Sequence, residues 1–250
     1  MKKAKVTIIL PNFNSEDFIE KTIQSIINQS FTDWLLFLID DNSNSKTKEI
    51  LKKYKKNKKI KILFLDKNIG PGPCRNLGIT KSNSDYLAFI DSDDLWGKNK
   101  LKDQIDFMSK NKFLFTYTAY STFSTDNNNS RYIKPPKKID YKQFLKNTSI
   151  GTSTMMVKTK ILENIKFTNS RVCEDFFFKC QLLKKVKFAY CLNKNLTKYQ
   201  IRKNSLQSNK FRTLYWVWKI NKYHNKLNFF NNLISVFFIS LNSLKKYGFK

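Results

Sequence analysis

Short apolar runs separated by amphipathic stretches fill the first 120 residues. Residues 6–10, 35–39, 60–65 and 86–90 are apolar apart from Thr7 and Lys61 and show no sustained polar alternation, which predicts strands buried on both faces. Between them the apolar positions recur at helical spacing. Ser15 is placed to cap a helix with Glu16 and Asp17 in its first turn and Phe18, Ile19, Ile23, Ile26 and Ile27 on its inner face. A Lys-rich helix is expected from about 46 to 56. Another opens at the turn Gly70-Pro71-Gly72-Pro73, with Pro73 suited to the first helical position, and a further one covers 98–108. Strands alternating with helices predict an α/β fold with a mostly parallel central sheet flanked by helices, with ligands at the carboxyl ends of the strands.

The rhythm breaks after residue 120. Residues 121–140 contain Asp126-Asn127-Asn128-Asn129-Ser130 and Lys134-Pro135-Pro136-Lys137 and are expected to form an exposed loop. Strands are expected at 153–158, 186–191 and 196–201, and a helix at 175–183. The last 40 residues read as helical, with Phe211, Tyr215, Trp216, Trp218, Phe229, Phe230, Phe237 and Phe238 set among lysines. Aromatics beside lysines suit a boundary between water and lipid, and a helical cap packed on the domain is the alternative.

Composition changes this picture in one respect. The chain has 250 residues, 47 Lys and Arg, 19 Asp and Glu, and a formal charge of +28. The excess is uneven: residues 1–120 carry 21 basic and 14 acidic groups, whereas 121–250 carry 26 and five. The two halves therefore face different partners. With 41% hydrophobic residues the chain can bury a core, and its six Gly and five Pro exclude collagen-like or linker-rich classes. Four cysteines at spacings that match no metal motif are expected to be buried thiols in a reducing compartment. The apolar run at 6–10 stops at Pro11, too short for a secretion signal, and the run 233–241 falls short of the roughly 20 residues that cross a bilayer.

The single histidine, His224, leaves histidine-based triads and multi-histidine metal sites without their parts. Acid–base chemistry falls to carboxylates, and these gather at predicted strand ends: Asp40-Asp41 after the second strand, Asp91-Ser92-Asp93-Asp94 after the fourth. Ionised carboxylates crowded together repel unless a cation neutralises them, and oxygen ligands select a hard ion such as Mg²⁺ or Mn²⁺. Aspartates after strands also cap helices and close Asx turns, which for Asp40 is an equal reading. Arg75, just inside the helix after the Gly-Pro turn, can meet an anion together with backbone N–H groups. Glu174-Asp175 precedes Phe176-Phe177-Phe178. On residue chemistry it is first a helix N-terminus carrying favourable charge, and second a carboxylate pair whose raised pKa would suit a base.

Taken in order, residues 6–14 (ending Pro11-Asn12-Phe13-Asn14), Ile39-Asp40-Asp41-Asn42-Ser43, Pro73-Cys74-Arg75-Asn76-Leu77-Gly78, residues 89–96 around Asp91-Ser92-Asp93-Asp94, and Glu174-Asp175 closely resemble family 2 glycosyltransferases of the GT-A fold. The resemblance implies a nucleotide-binding, Rossmann-like sheet, a C-terminal helical tail, and an inverting enzyme using a nucleotide-diphosphate sugar with Mn²⁺ or Mg²⁺. By motif, Pro11, Asn12, Phe13 and Asn14 line the nucleotide pocket, Asp41 meets the base, and Arg75 lies near the nucleotide. Asp93 is the expected metal ligand of a DxD-like element, Asp91 or Asp94 assists at ribose, metal or donor sugar, and Asp175 is the expected catalytic base. The implied division is a glycosyltransferase domain at 1–205, with a nucleotide-binding half at 1–120 and an acceptor half at 121–205, followed by a basic aromatic tail at 206–250.

One departure stands out. Where processive members carry QxxRW and membrane helices, this chain has Tyr199-Gln200-Ile201-Arg202-Lys203, so transfer of a single sugar is expected, with Arg202 and Lys203 available to the diphosphate. The expected acceptor is a saccharide or lipid-linked saccharide of the cell surface. The expected location is cytoplasmic, peripheral on the anionic inner face of the membrane. The rival class, a basic nucleic-acid-binding protein, is motivated by a pI near 9.9. It leaves the strand-end aspartates facing phosphates of like charge.

Overall fold

A computed structural model describes residues 3–124, 130–170, 172–202 and 210–247. Four parallel strands form its first half: β1 (Val6–Asn12), β2 (Trp34–Asp40), β3 (Ile60–Phe64) and β4 (Tyr86–Phe89), ordered β3-β2-β1-β4. The connecting helices are α1 (Ile19–Ile27), α2 (Ser45–Lys52) and α3 (Pro71–Lys81). The absence of alternation has a direct cause. Along β1, Val6, Ile8 and Leu10 enter one core with α1, and Ile9 enters a second core with α3, so successive side chains are all buried.

The sheet then turns mixed. The two-residue β5 (Leu95–Trp96) precedes α4 (Lys100–Lys110), and the long β6 (Phe115–Phe123) follows. Residues 121–124 and 130–140 depart from the exposed loop that their composition predicts, and Asp126-Asn127-Asn128-Asn129 lies outside the described residues. β6 runs to Phe123, β7 (Arg131–Ile133) pairs back on it antiparallel, and β8 (Lys138–Ile139) pairs with β10 (Ala189–Gln200). Their partners lie far along the chain or across a turn, and such pairing leaves no local periodicity.

Residues 152–154 form a single 3-10 turn, and only β9 (Met156–Lys158) of the expected strand pairs, antiparallel between β4 and β6. The two strands expected at 186–191 and 196–201 are one, β10, parallel to β6. The exposed Asn193, Lys194 and Asn195 mark a register shift at which the strand stays paired. Its last residues lie beside β5, returning the chain to the end of β4.

The remaining helices, α5 (Tyr141–Phe144), α6 (Glu174–Val186), α7 (Lys210–Tyr223) and α8 (Phe229–Tyr247), cover one sheet face. Phe144, Phe178, Val217, Ile220 and Ile239 join Phe89 and Tyr117 in the same core. α2 is shorter than expected and is capped by the Asn44 side chain, which accepts from Thr47 N–H at 2.9 Å. Ser15 does not cap α1 with its hydroxyl. Its carbonyl takes the N–H groups of Phe18 and Ile19, and its hydroxyl donates to the Asn12 side chain. All four cysteines are free and buried.

Candidate active site

Two loops at the carboxyl ends of β1 and β2 are stitched together. Asn12 Nδ2 donates to Asp40 Oδ1 at 2.8 Å and to Ser43 Oγ at 3.2 Å, while Asp40 Oδ2 accepts from Ser43 N–H. Asn14, in the left-handed region at φ 44°, donates its N–H to Ser43 Oγ and accepts from Asn44 N–H. Pro11 and Asn12 are buried and Phe13 is half exposed beside them. Asp41 turns the other way. Its two oxygens accept from Ile69 N–H at 2.7 Å and Gly70 N–H at 2.8 Å, clamping the turn that opens α3. Gly70 has φ 91°, which explains glycine there, and Pro71 rather than Pro73 occupies the first helical position. A side chain at Gly72 would sit 2.2 Å from the Thr168 carbonyl, so α3 packs directly on the strand-to-helix segment before α6.

That packing places Arg75, buried in α3, between two acids from distant parts of the chain. Its guanidinium meets Asp91 Oδ1 and Glu174 Oε1, both at 2.6 Å, and lies over the Phe167 ring. Burial opposes its charge, and the facing Asp91, Glu174 and Asp175 more than offset this, raising its pKa. The three carboxylates after β4 diverge. Asp91 faces Arg75, Asp93 Oδ2 meets Arg202 at 2.7 Å, and Asp94 Oδ1 accepts from Gln200 N–H at 2.9 Å. Burial pushes the Asp93 carboxyl up to about 6, helped by Asp91 and opposed by Arg202. Burial, with Asp93 and Asp91 adding, raises Asp94 well above the ordinary range, and its Oδ2 has no partner among the described residues. Ser153 holds the loop, accepting from Asp91 N–H at its hydroxyl and from Trp96 Nε1 at its carbonyl.

At the start of α6 the acidic pair splits. Burial raises the Glu174 pKa against Arg75. For Asp175 the sequence expectation of a raised pKa is wrong: it is pushed down to about 2. Burial acts upward, but the buried Lys179 ammonium lies 2.5 Å from Oδ2 and Thr152 Oγ1 donates to the same oxygen at 2.6 Å. Lys179 also reaches Thr152 Oγ1 at 3.0 Å. Asp175 is thus a held carboxylate whose hydrogen bonds fall on one oxygen.

Arg75 therefore connects Asp91 with the 174–175 pair, and Arg202 connects Asp93 with the end of β10. Asp40 and Asn12 form the loop framework, and Lys203 lies outside the described residues. Sequence reading overlooked Lys179, Thr152 and Ser153. The i,i+4 spacing of Asp175 and Lys179 was the available signal for the first. No three acidic, histidine or cysteine groups converge on one point among the described residues. The donor set nonetheless fits a hard divalent ion shared with a diphosphate, because such an ion takes one or two carboxylates plus phosphate oxygens, and Asp93 already attracts a cation.

Comparison with known proteins bears on this arrangement. The sequence pattern of Glycosyl transferase family 2 matches residues 7–166. The Bacillus subtilis (strain 168) glycosyltransferase TuaG, named for teichuronic acid biosynthesis, is 33% identical over 246 residues, 98% of either chain. The Escherichia coli protein WfgD, named as a UDP-Glc:alpha-D-GlcNAc-diphosphoundecaprenol beta-1,3-glucosyltransferase, is 30% identical over 86% of this chain and 84% of its own. In structure, S. aureus TarS 1-349 in complex with UDP-GlcNAc superposes with a TM-score of 0.74 at 20% identity, covering 97% of this chain and 73% of that one, and shares the GT-A fold. The chain belongs to glycosyl transferase family 2.

Proposed function

We propose that this glycosyltransferase moves one sugar from a nucleotide-diphosphate sugar, a UDP-sugar, to a hydroxyl of a saccharide or lipid-linked saccharide in cell-surface polysaccharide synthesis, with inversion at the anomeric carbon. The observation that carries the reading is the Arg75 bridge, which ties the acidic loop at 91–94 to the Glu174-Asp175 pair. WfgD and TarS, through the substrates in their names, support the donor and the lipid-linked acceptor. Residues 1–120 hold the nucleotide in this reading, with Pro11, Asn12, Phe13, Asn14 and Asp41 around it. Residues 121–205 frame the acceptor, and the tail at 206–250 rests on the inner face of the membrane.

The chemistry assigned to the chain is a single displacement. Asp175 takes the proton of the acceptor hydroxyl through Oδ1, the oxygen that Lys179 and Thr152 leave open. The acceptor oxygen bonds to the anomeric carbon as the opposite carbon–oxygen bond to the diphosphate breaks, through an oxocarbenium-like transition state. Asp93, with Asp91 or Asp94 in support, would hold Mn²⁺ or Mg²⁺; when bound, that ion neutralises charge developing on the leaving diphosphate. Arg202, which now faces Asp93, can turn to the phosphates, and Lys203 follows it in sequence.

The test is a thermal-shift screen of nucleotide sugars with Mn²⁺, followed by two variants. Asp93→Asn is expected to abolish the Mn²⁺-dependent shift. Asp175→Asn is expected to keep it while the rate falls roughly 10²–10⁴-fold. Loss of donor affinity in Asp175→Asn, or product NMR showing a retained anomeric configuration, refutes the assigned roles.

A further inference from the structure

α8 is built inside out. A helix at the surface of a water-soluble domain turns its apolar stripe inward and its polar stripe to solvent. Here the inward stripe is largely polar: Asn232 donates to the Trp218 carbonyl at 3.0 Å, Ser235 to the Leu145 carbonyl at 2.5 Å, and Asn242 to the Lys146 carbonyl at 2.9 Å. Asn221 of α7 donates to Ser235 Oγ. Ile239 is the buried apolar side chain among them. The outward stripe is Phe230, Leu233, Ile234, Phe237, Phe238 and Leu241, all exposed, Phe230 at 73%. No charged residue occurs from 229 to 244. The two faces of this helix fit a protein interior that supplies hydrogen-bond partners and an exterior that is apolar.

We infer that α8 lies in the plane of an anionic lipid bilayer, with these six side chains in the acyl boundary and the neighbouring basic groups at the level of the headgroups. The inference deepens the proposed function by naming the element that brings the enzyme to a lipid-linked acceptor. Charge selects the occupant. Residues 121–250 carry 26 basic and five acidic groups, Lys146 places its ammonium group over Phe238 of the patch, and Lys219 places its own over Tyr215 on the neighbouring α7. A second copy of the chain would bring the same cationic surface against itself, whereas an anionic membrane adds attraction to apolar burial. A cleft of ≈ 820 Å³ next to α8 is lined by Arg131, Lys134, Lys137, Asn147, Ser149 and Asn242 and, among the described residues, by no acidic one. Lipid phosphates fit it. No helix among the described residues is long and apolar enough to cross a membrane, so α8 lies on the bilayer rather than through it.

The experiment is co-sedimentation of the full chain with phosphatidylglycerol–phosphatidylcholine vesicles and with phosphatidylcholine alone. The chain is expected to sediment with the anionic vesicles. The triple variant Phe230→Ser/Phe237→Ser/Phe238→Ser, which changes only exposed positions, is expected to lose about tenfold or more in partition, with its melting temperature and nucleotide-sugar thermal shift unchanged. Lys134→Glu/Lys137→Glu should lose the preference for anionic vesicles. Without mutation, brominated lipids should quench tryptophan fluorescence through Trp218, which packs on Phe229. Equal sedimentation of parent and triple variant, or no binding to anionic vesicles, overturns the inference. So does a dimer seen by light scattering that the triple variant dissolves. Failure of donor binding with vesicle binding intact would remove the proposed function and leave this surface standing.

Discussion

Asp175 owes its ionised state to Lys179, one turn further along α6. Its folded pKa, about 2, lies below the ordinary value near 3.9, so the pair contributes stability that is present above about pH 4 and is lost as pH falls toward 2. Lys179→Met leaves a mostly buried carboxylate held by the Thr152 hydroxyl and the Arg75 charge. The expected results are a loss of about 3–5 kcal/mol at neutral pH and an acid limb of kcat/KM that moves upward, because burial then loses its largest opponent. A pH–rate profile beside thermal melts checks both; a melt that falls while the limb stays fixed would place the base elsewhere. Residue chemistry made the acidic pair visible in the sequence, and the raised pKa it suggested holds for Glu174 but not for Asp175. A lysine in a helix defaults to solvent, and nothing local announces that this one is buried. Lys100 has the same history: fully buried over the Trp96 ring, its pKa is brought down by burial to about 7.

At the scale of elements, α3 sets the geometry of the site. Its first turn is fixed by Asp41 on the Ile69 and Gly70 N–H groups and by the contact of Gly72 with Thr168. Gly72→Ala puts a methyl group against backbone that cannot yield as a flexible side chain does. It is expected to cost about 1–3 kcal/mol, seen as a melting temperature lower by roughly 2–4 °C per kcal/mol, and to weaken donor binding as Arg75 shifts. Such elements were legible where the information is local. β1 to β4 stand in the sequence as apolar runs broken only at Thr7 and Lys61, and the Gly-Pro turn marks the start of α3 to within two residues. β7 and β8 were not legible, because Arg131–Ile133 and Lys138–Ile139 are strands only by virtue of β6 and β10 beside them. The polar bulge at 193–195 likewise disguised one strand as two.

Over the whole molecule, the expectation of inert thiols holds for all four cysteines. Burial raises each of them, Cys180 to about 12 and Cys191 to about 11. A thiol reagent at mildly alkaline pH is therefore expected to titrate none of them in the native protein and all four in denaturant; fast labelling of any one would mean the core opens readily. The charge asymmetry between halves was plain in the sequence, but the outward turn of α8 was not, since an apolar stripe announces burial without saying in what. The core on the α3 side of the sheet and the acidic rim meet at Arg75, whose guanidinium lies over Phe167 and joins the end of β4 to the start of α6. On the proposed roles, the separation between leaving-group and nucleophile machinery is a built-in dimension of the scaffold. Side chains that choose a sugar or an acceptor can diverge around it without resetting the gauge. A change at Arg75, even to lysine with its single point of attachment, uncouples the buried Glu174 from the half-buried Asp91.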